Sequence, residues 1–256
     1  MSIRKKILAT SIGPVLVLGV ITLLFMLTMV KSSLMDEVQD ALKGTAAATL
    51  AAYDQNTGDY LESTNGDIWK GSYNISKSES LVDRIKENTG MDVTFFYGNK
   101  RIMTSALDKK GNRILGSEAG ERVVKQVIKG KKPFFSTNVS LDGTRNYGYF
   151  IPVYQNGTTD QVIGMVFVGT NKARKDAIVN KILGSIMMAL LVVMFLCIVT
   201  AMRMAASISK NIKNSVAVVG KLADGDLNVW VDEKLLKRKD EIGDLSRGTM
   251  TLRDAM

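Results

Sequence analysis

Apolar residues follow three different patterns along this chain, and each pattern marks a different kind of element. Ile7 to Val30 and Ile182 to Met202 are runs without a single charged side chain. A helix crosses the hydrocarbon core of a bilayer with about 20 apolar residues, and the core helices of soluble proteins rarely stay uncharged that long. Both runs are therefore expected to span a membrane. Pro14 is expected to kink the first span without ending it, because neighbouring groups re-satisfy the backbone of a membrane helix. A cleaved leader has a shorter apolar stretch, about 7–15 residues, beside a small-residue cleavage site. The nearest such site, Ala46-Ala47-Ala48, lies well past the run, so the first span is expected to be an uncleaved anchor.

Between the spans the pattern changes twice. From Lys31 to about Asn56, Leu34, Val38, Ala41, Thr45, Ala48 and Ala52 recur at spacings of three and four, which predicts a helix. The small residues on this stripe suit either a dimer seam or docking on the helix's own domain. A loop-rich stretch follows through Thr57-Gly58, Asn65-Gly66 and Gly71-Ser72, anchored by Trp69 and Tyr73, and a second helix is expected over Ser78 to Asn88 with Ser78 as its cap. Beyond Met91, β-branched and aromatic residues predict strands at Val93–Tyr97, Arg101–Ala106, Phe134–Val139, Arg145–Tyr154 and Val162–Gly169, with tight turns at Gly98-Asn99 and Asp142-Gly143. A helix over Glu118–Lys129 is expected to bury Val123, Val124, Val127 and Ile128. Helices followed by a five-stranded antiparallel sheet give an α+β domain over residues 31–181, long enough at about 150 residues for its own core.

The third pattern follows the second span. Ile208, Ile212, Ser215, Val219 and Leu222 keep four-three heptad spacing, as do Ile242, Leu245, Thr249, Leu252 and Met256. Gly225-Asp226-Leu227 ends the first of these helices, and Leu227, Val229 and Val231 alternate as an extended connector. Two short heptad helices cannot bury their seams alone, which points to a parallel dimeric four-helix coil.

Charge sets the orientation. Arg4, Lys5 and Lys6 precede the first span, so residues 1–6 are expected to be cytoplasmic, 7–30 and 182–202 membrane-embedded, 31–181 outside, and 203–256 cytoplasmic again. Lys172, Arg174, Lys175 and Lys181 on the outer side oppose this rule, and the first helix is taken to decide. The net charge of +9 forms no basic stripe interleaved with aromatics, so nucleic-acid binding is not expected. With no histidine, a single cysteine (Cys197) inside the second span and no suggestive carboxylate pair, the usual parts of zinc and nucleophilic catalysis are missing. No enzyme activity, cofactor or metal site is expected. A membrane adaptor whose outer domain docks a binding protein is the non-catalytic alternative.

Two segments carry a family resemblance. Ser207 through Gly225-Asp226-Leu227 to Asp240-Glu241-Ile242-Gly243 resembles a HAMP linker, with Asn211 where that family commonly has a proline. The resemblance implies a dimeric relay in which Gly225, Asp226, Leu227, Asp240, Glu241 and Gly243 shape the turn and the start of the second helix. Asp240 and Glu241 also suit a helix N-terminus on electrostatic grounds alone. The outer domain resembles the PAS-like single-Cache sensors through Gly90-Met91-Asp92-Val93-Thr94-Phe95-Phe96-Tyr97-Gly98, Arg101-Ile102-Met103-Thr104-Ser105, Gly148-Tyr149-Phe150-Ile151-Pro152-Val153 and Val162-Ile163-Gly164-Met165-Val166-Phe167-Val168-Gly169. The whole arrangement resembles the N-terminal half of a methyl-accepting chemotaxis protein. It implies a homodimer in the bacterial cytoplasmic membrane and a cytoplasmic signalling module or kinase complex beyond the second HAMP helix. Sensor histidine kinases and cyclases share the same front end.

The single-Cache resemblance also implies a small-molecule ligand, often an organic carboxylate. Arg101, Thr104, Tyr97, Tyr147 and Tyr149 are the candidates to orient it, with Lys70 and Arg122 from loop and helix. A guanidinium beside tyrosine hydroxyls suits bidentate carboxylate recognition. Strand alternation places Tyr147 and Tyr149 on one face, and likewise Phe95 and Tyr97. Met165 and Phe167 are read as core.

Overall fold

The computed structural model describes residues 3–255, which form two compact units: residues 28–183, and residues 3–27 together with 184–255. The chain opens with α1 (Ile3–Phe25), a π-helical turn at Met26–Val30 and α2 (Lys31–Asp54). Three short strands follow, β1 (Tyr60–Glu62), β2 (Ile68–Lys70) and β3 (Tyr73–Asn74), then α3 (Glu79–Thr89), β4 (Asp92–Tyr97) and β5 (Lys100–Thr104). After a long loop come α4 (Glu121–Val123), widened into a π-helical turn at Val124–Lys129, and β6 (Phe134–Leu141), β7 (Thr144–Tyr154) and β8 (Val162–Asn171). The last elements are α5 (Lys172–Ala223), α6 (Glu233–Leu236) and α7 (Glu241–Asp254).

In residues 28–183 the main sheet is antiparallel with strand order β5-β4-β8-β7-β6, so its own first and last strands in chain order, β4 and β8, sit side by side. Asp142 (φ +45°) and Gly143 (φ +76°) make the β6–β7 turn, with the two positive φ values of a type I′ hairpin. The register slips between Phe95 and Phe96 of β4, and both rings are buried, one in each of two cores. On one face Leu42, Ala46 and Tyr53 of α2 pack with Val93, Phe95, Val166 and Val168. On the other, Phe96, Phe150, Met165 and Phe167 meet Val127 of the π-helical turn and Ala106 of the loop after β5.

Several expectations shift here. The buried stripe of α2 is Leu42, Ala46, Thr49 and Tyr53, one position on from the small-residue stripe, and Ala41 and Ala48 are exposed. The stretch expected as loop is a three-stranded antiparallel meander, anchored by buried Tyr60, Ile68 and Lys70, while Trp69 and Tyr73 are half-buried. Ser78 does not cap α3 with its side chain. Its hydroxyl donates to the Ile75 carbonyl (2.7 Å) and accepts the buried Tyr53 hydroxyl (2.9 Å), tying α2 to α3. Of the four valine and isoleucine positions assigned to the helix before β6, Val127 is buried and the other three are half-buried.

Two continuous helical stretches, Lys5–Asp54 and Lys172–Ala223, are long and apolar enough to cross a membrane. Only 11% and 6% of their most apolar segments is buried, whereas the core helix of a soluble protein would bury most of that surface. Within residues 184–255, Ser215 and Leu222 of α5 bury with Val229 and Val231 of the connector and Ser246 and Thr249 of α7. Val219, Leu245 and Leu252, from the two heptad seams, stay exposed.

Candidate functional site

The sheet face away from α2 carries a cavity of about 560 Å³. Its floor is aromatic: Phe96, Phe150 and Phe167 present their rings, the last two at 4.7 Å between centroids. Gly148 and Gly169 permit this arrangement. A Cβ at either position would come within 2.5 Å of the Phe167 ring, so the neighbouring strand β7 at Gly148 and the ring's own strand β8 at Gly169 must both be bare there. One wall is β6, from Phe134 to Ser140, and the other holds Arg101, Glu118 and Ala119, with Arg122 and Val123 from α4.

Arg101 sits opposite Phe96 in the β4–β5 pair, just after the register slip, so its side chain is directed to the cavity face. The outer edge of β5 is covered there: the Arg101 amide donates to the Ser117 carbonyl (2.9 Å), and its own carbonyl accepts from Gly116 (2.9 Å). The residue is only 7% exposed. Its guanidinium lies 5.3 Å over the Phe96 ring, Nη1 donates to the Ile114 carbonyl at a long 3.4 Å, and Nε has no partner. Burial lowers its pKa, and Asp92 opposes the shift from a distance. Arginine does not lose its proton in proteins, so a charged, under-satisfied fork is held against the cavity. Among the described residues no carboxylate lies within ion-pair distance of it. A buried cation with open donors is costly, and an anion entering the cavity would relieve that cost.

Arg122, the second cation, is exposed, with its guanidinium 5.5 Å over the Phe134 ring. Facing both arginines, β6 is irregular: its pairing with β7 slips between Ser136 and Val139, so Thr137 and Asn138 leave the ladder. Ser136, Thr137, Asn138 and Ser140 supply polar groups on this wall.

The structure thus brings Arg101 and Arg122 together and places the other candidates elsewhere. Thr104 is fully buried and satisfied, 2.7 Å from the Thr94 hydroxyl and accepting from the Ala106 amide. Tyr97 is half-buried in the core on the α2 face, and Tyr147 and Tyr149 are buried in that same core. The Tyr147 hydroxyl donates to Asp176 Oδ1 at 2.5 Å, and burial, helped by that carboxylate, pushes its pKa up to about 12. Lys70 is buried in an ion pair with Asp54 (3.2 Å) and lies 4.1 Å over the Tyr60 ring, whose hydroxyl also donates to Asp54. Strand alternation paired the tyrosines correctly but could not tell which face α2 would cover. Phe167, read as core, is buried and lines the cavity too, while Phe96, Glu118, Phe150 and the β6 segment were missed. Gly148, alternating with the tyrosines on the opposite face, was the signal in sequence that this face needed room.

In the segment after the second apolar helix, Gly225 has φ +81° and ends α5, and Asp226 Oδ1 accepts from the Asn228 amide. Leu227 is half exposed. Asp240 caps α7, accepting from the Gly243 amide (3.2 Å), and the Arg238 guanidinium holds its carboxyl down at about 2. Glu241 is the exposed first residue of α7. Gly243 is buried, and a Cβ there would stand 2.2 Å from the Arg238 carbonyl.

Residues 73–182 match the family model of single cache domain 3. Among solved structures, the chain is similar to an extracellular ligand binding receptor from Desulfohalobium retbaense, at 15% identity and a TM-score of 0.41 over 57% of this chain. The matched region spans only 25% of that receptor's length. The chain is also similar to the sensor domain of E. coli DcuS, at 14% identity and a TM-score of 0.34, covering 59% of this chain and 98% of that one. No curated protein matches the chain. Every residue lining the cavity falls inside the segment that matches the single cache domain model.

Proposed function

We propose that the chain is the sensory half of a bacterial transmembrane chemoreceptor, and that it binds a small organic carboxylate in the cavity beneath Arg101. The observation that carries this reading is the buried Arg101 guanidinium with its unpartnered Nε, set over an aromatic floor in a cavity sized for a small molecule. A carboxylate would take the open fork while its carbon skeleton covers the phenylalanines. Charge-assisted bonds of this kind contribute about 1.5–3 kcal/mol each. The work of the site is binding without catalysis.

Two apolar helices of spanning length support a membrane location with residues 31–181 outside and both ends in the cytoplasm. Occupancy would bias two packings of the domain, with a coupling of about 1–3 kcal/mol between ligand and output. Residues 203–256 would act as a HAMP relay in a homodimer. The support is the set of seam residues Val219, Leu245 and Leu252, which a second copy would cover. The cytoplasmic partner in this scheme is a chemotaxis-type kinase complex.

The test is calorimetric titration of the full chain in lipid nanodiscs with benzoate, with the neutral isostere benzamide, and with a series of aliphatic monocarboxylates. Carboxylates of suitable length are expected to bind where benzamide does not. Arg101→Met should abolish their heat signal, and Tyr149→Phe should leave it unchanged. Binding that survives Arg101→Met, or the absence of binding across the whole series, would sink the proposal.

A further inference from the structure

We infer that the state of the cavity reaches α5 across the edge strand β6, through Lys172 and through a Phe135–Tyr147–Asp176 chain, and not only along β8. The inference rests on the cavity being the ligand site and names how that site is read out.

The two routes differ in stiffness. β8 is paired on both sides, by β4 and β7, and is buried from Gly164 to Thr170. A central strand of this kind belongs to the most stable part of a fold and yields little to a ligand. β6 is an edge strand with one neighbour, and its pairing is already interrupted between Ser136 and Val139. A bulged edge can shift with the loss of few ladder bonds. The interrupted part is also the part that lines the cavity.

This same segment holds the first turn of α5. Lys172, the first helical residue, donates from Nζ to the Thr137 carbonyl at 3.1 Å. Its ammonium also lies 5.2 Å over the Tyr147 ring. Phe135, beside the bulge, stacks on Tyr147 with 6.3 Å between centroids and only 9° between planes. Tyr147 in turn donates to Asp176, four residues after Lys172 and hence on the same side of the helix. A displacement of the cavity wall therefore pulls on two successive points of one helical face. Tyr147 and Lys172 are transmission residues and touch no ligand.

The test uses the full chain in lipid nanodiscs, and its readout is hydrogen exchange at α5 amides 176–180, beyond the first-turn amides that have no intrahelical acceptor. The wall is perturbed from inside the cavity by Ser136→Phe. The more exposed position supplies a second wall variant, Thr137→Trp, which keeps the Thr137 carbonyl. Each is measured in the original chain and in a Lys172→Met/Tyr147→Phe background. A wall variant is expected to change exchange at these amides about fivefold, the equivalent of one net hydrogen bond, and less than about twofold in the double background. The β6 amides should respond in both. An equal response of α5 in the two backgrounds would place transmission in β8 and overturn the inference, as would no response in the original chain. No ligand enters this experiment, so its failure is distinguishable from failure of the carboxylate titration.

Discussion

Arg101 gives the sharpest prediction, because stability and binding should move in opposite directions when it is replaced. Arg101→Met exchanges an under-satisfied buried cation for an apolar side chain of similar length. The domain then no longer bears the cost of burying the unpaired Nε donor, about 1–3 kcal/mol. It loses the interaction with the Phe96 ring at 5.3 Å, about 0.5–1 kcal/mol, and the long bond to the Ile114 carbonyl adds little. The balance is a stabilisation centred near about 1 kcal/mol and reaching at most about 2.5 kcal/mol. For a denaturant slope of about 2 kcal/mol per molar, the urea midpoint rises by about 0.5 M, and at most by about 1.2 M. The chain has two tryptophans, half-buried Trp69 in β2 and Trp230, which is 75% exposed. In a Trp230→Phe background Trp69 fluorescence reports the unit of residues 28–183 alone, so the titration is done on the full chain in nanodiscs with that reporter. A midpoint that falls on Arg101→Met would mean that the guanidinium is a structural element already satisfied, and the argument for an anion site would go with it.

Three further outcomes follow from the geometry. Gly148→Val places carbon atoms where the Phe167 ring and Val139 now lie, and should destabilise the domain by about 1–3 kcal/mol in the same urea assay while shrinking the cavity. Asp83 accepts a bidentate bond from Arg113, which holds its pKa below the ordinary 3.8. A depressed folded pKa contributes stability that is present above the unfolded value and lost as pH falls through the folded one. Asp83→Asn should therefore destabilise at pH 7 and flatten the loss of stability below about pH 4, measured as urea midpoints against pH. Gly243→Ala sets a Cβ against the Arg238 carbonyl and should loosen the start of α7, seen as faster amide exchange at residues 243–246 with residues 28–183 unchanged.

How far the sequence determined these results differs from element to element. The uncharged runs, the hairpins at Gly98-Asn99 and Asp142-Gly143, and the strands around them were legible because each rests on local chemistry: solvent preference, positive φ and strand alternation. The face of α2 that docks on its own domain lies one position on from the small-residue stripe, because alanine and threonine carry little periodic signal and Tyr53 and Leu42 decide the docking through tertiary contacts. The meander at Tyr60–Asn74 was hidden by its turn residues, and its strands are too short to show alternation. At the site, Arg101 was legible as a polar residue leading a strand. Its tyrosine partners were not, because alternation gives two faces and only the packing of α2 determines which one is filled. The bulge in β6 follows from no residue type in Ser136–Val139, so the wall it makes lay beyond sequence reasoning.

Strand β8 suggests how this domain could be moved between proteins. All its pairing is complete by Asn171, and two contacts that fasten the following helix, at Lys172 and Asp176, lie beyond it. A chimaera joined at Asn171 would carry an intact sheet but sever the fastening, whereas one joined a turn past Asp176 would export both. A biosensor built on this scaffold should be fused at the second junction.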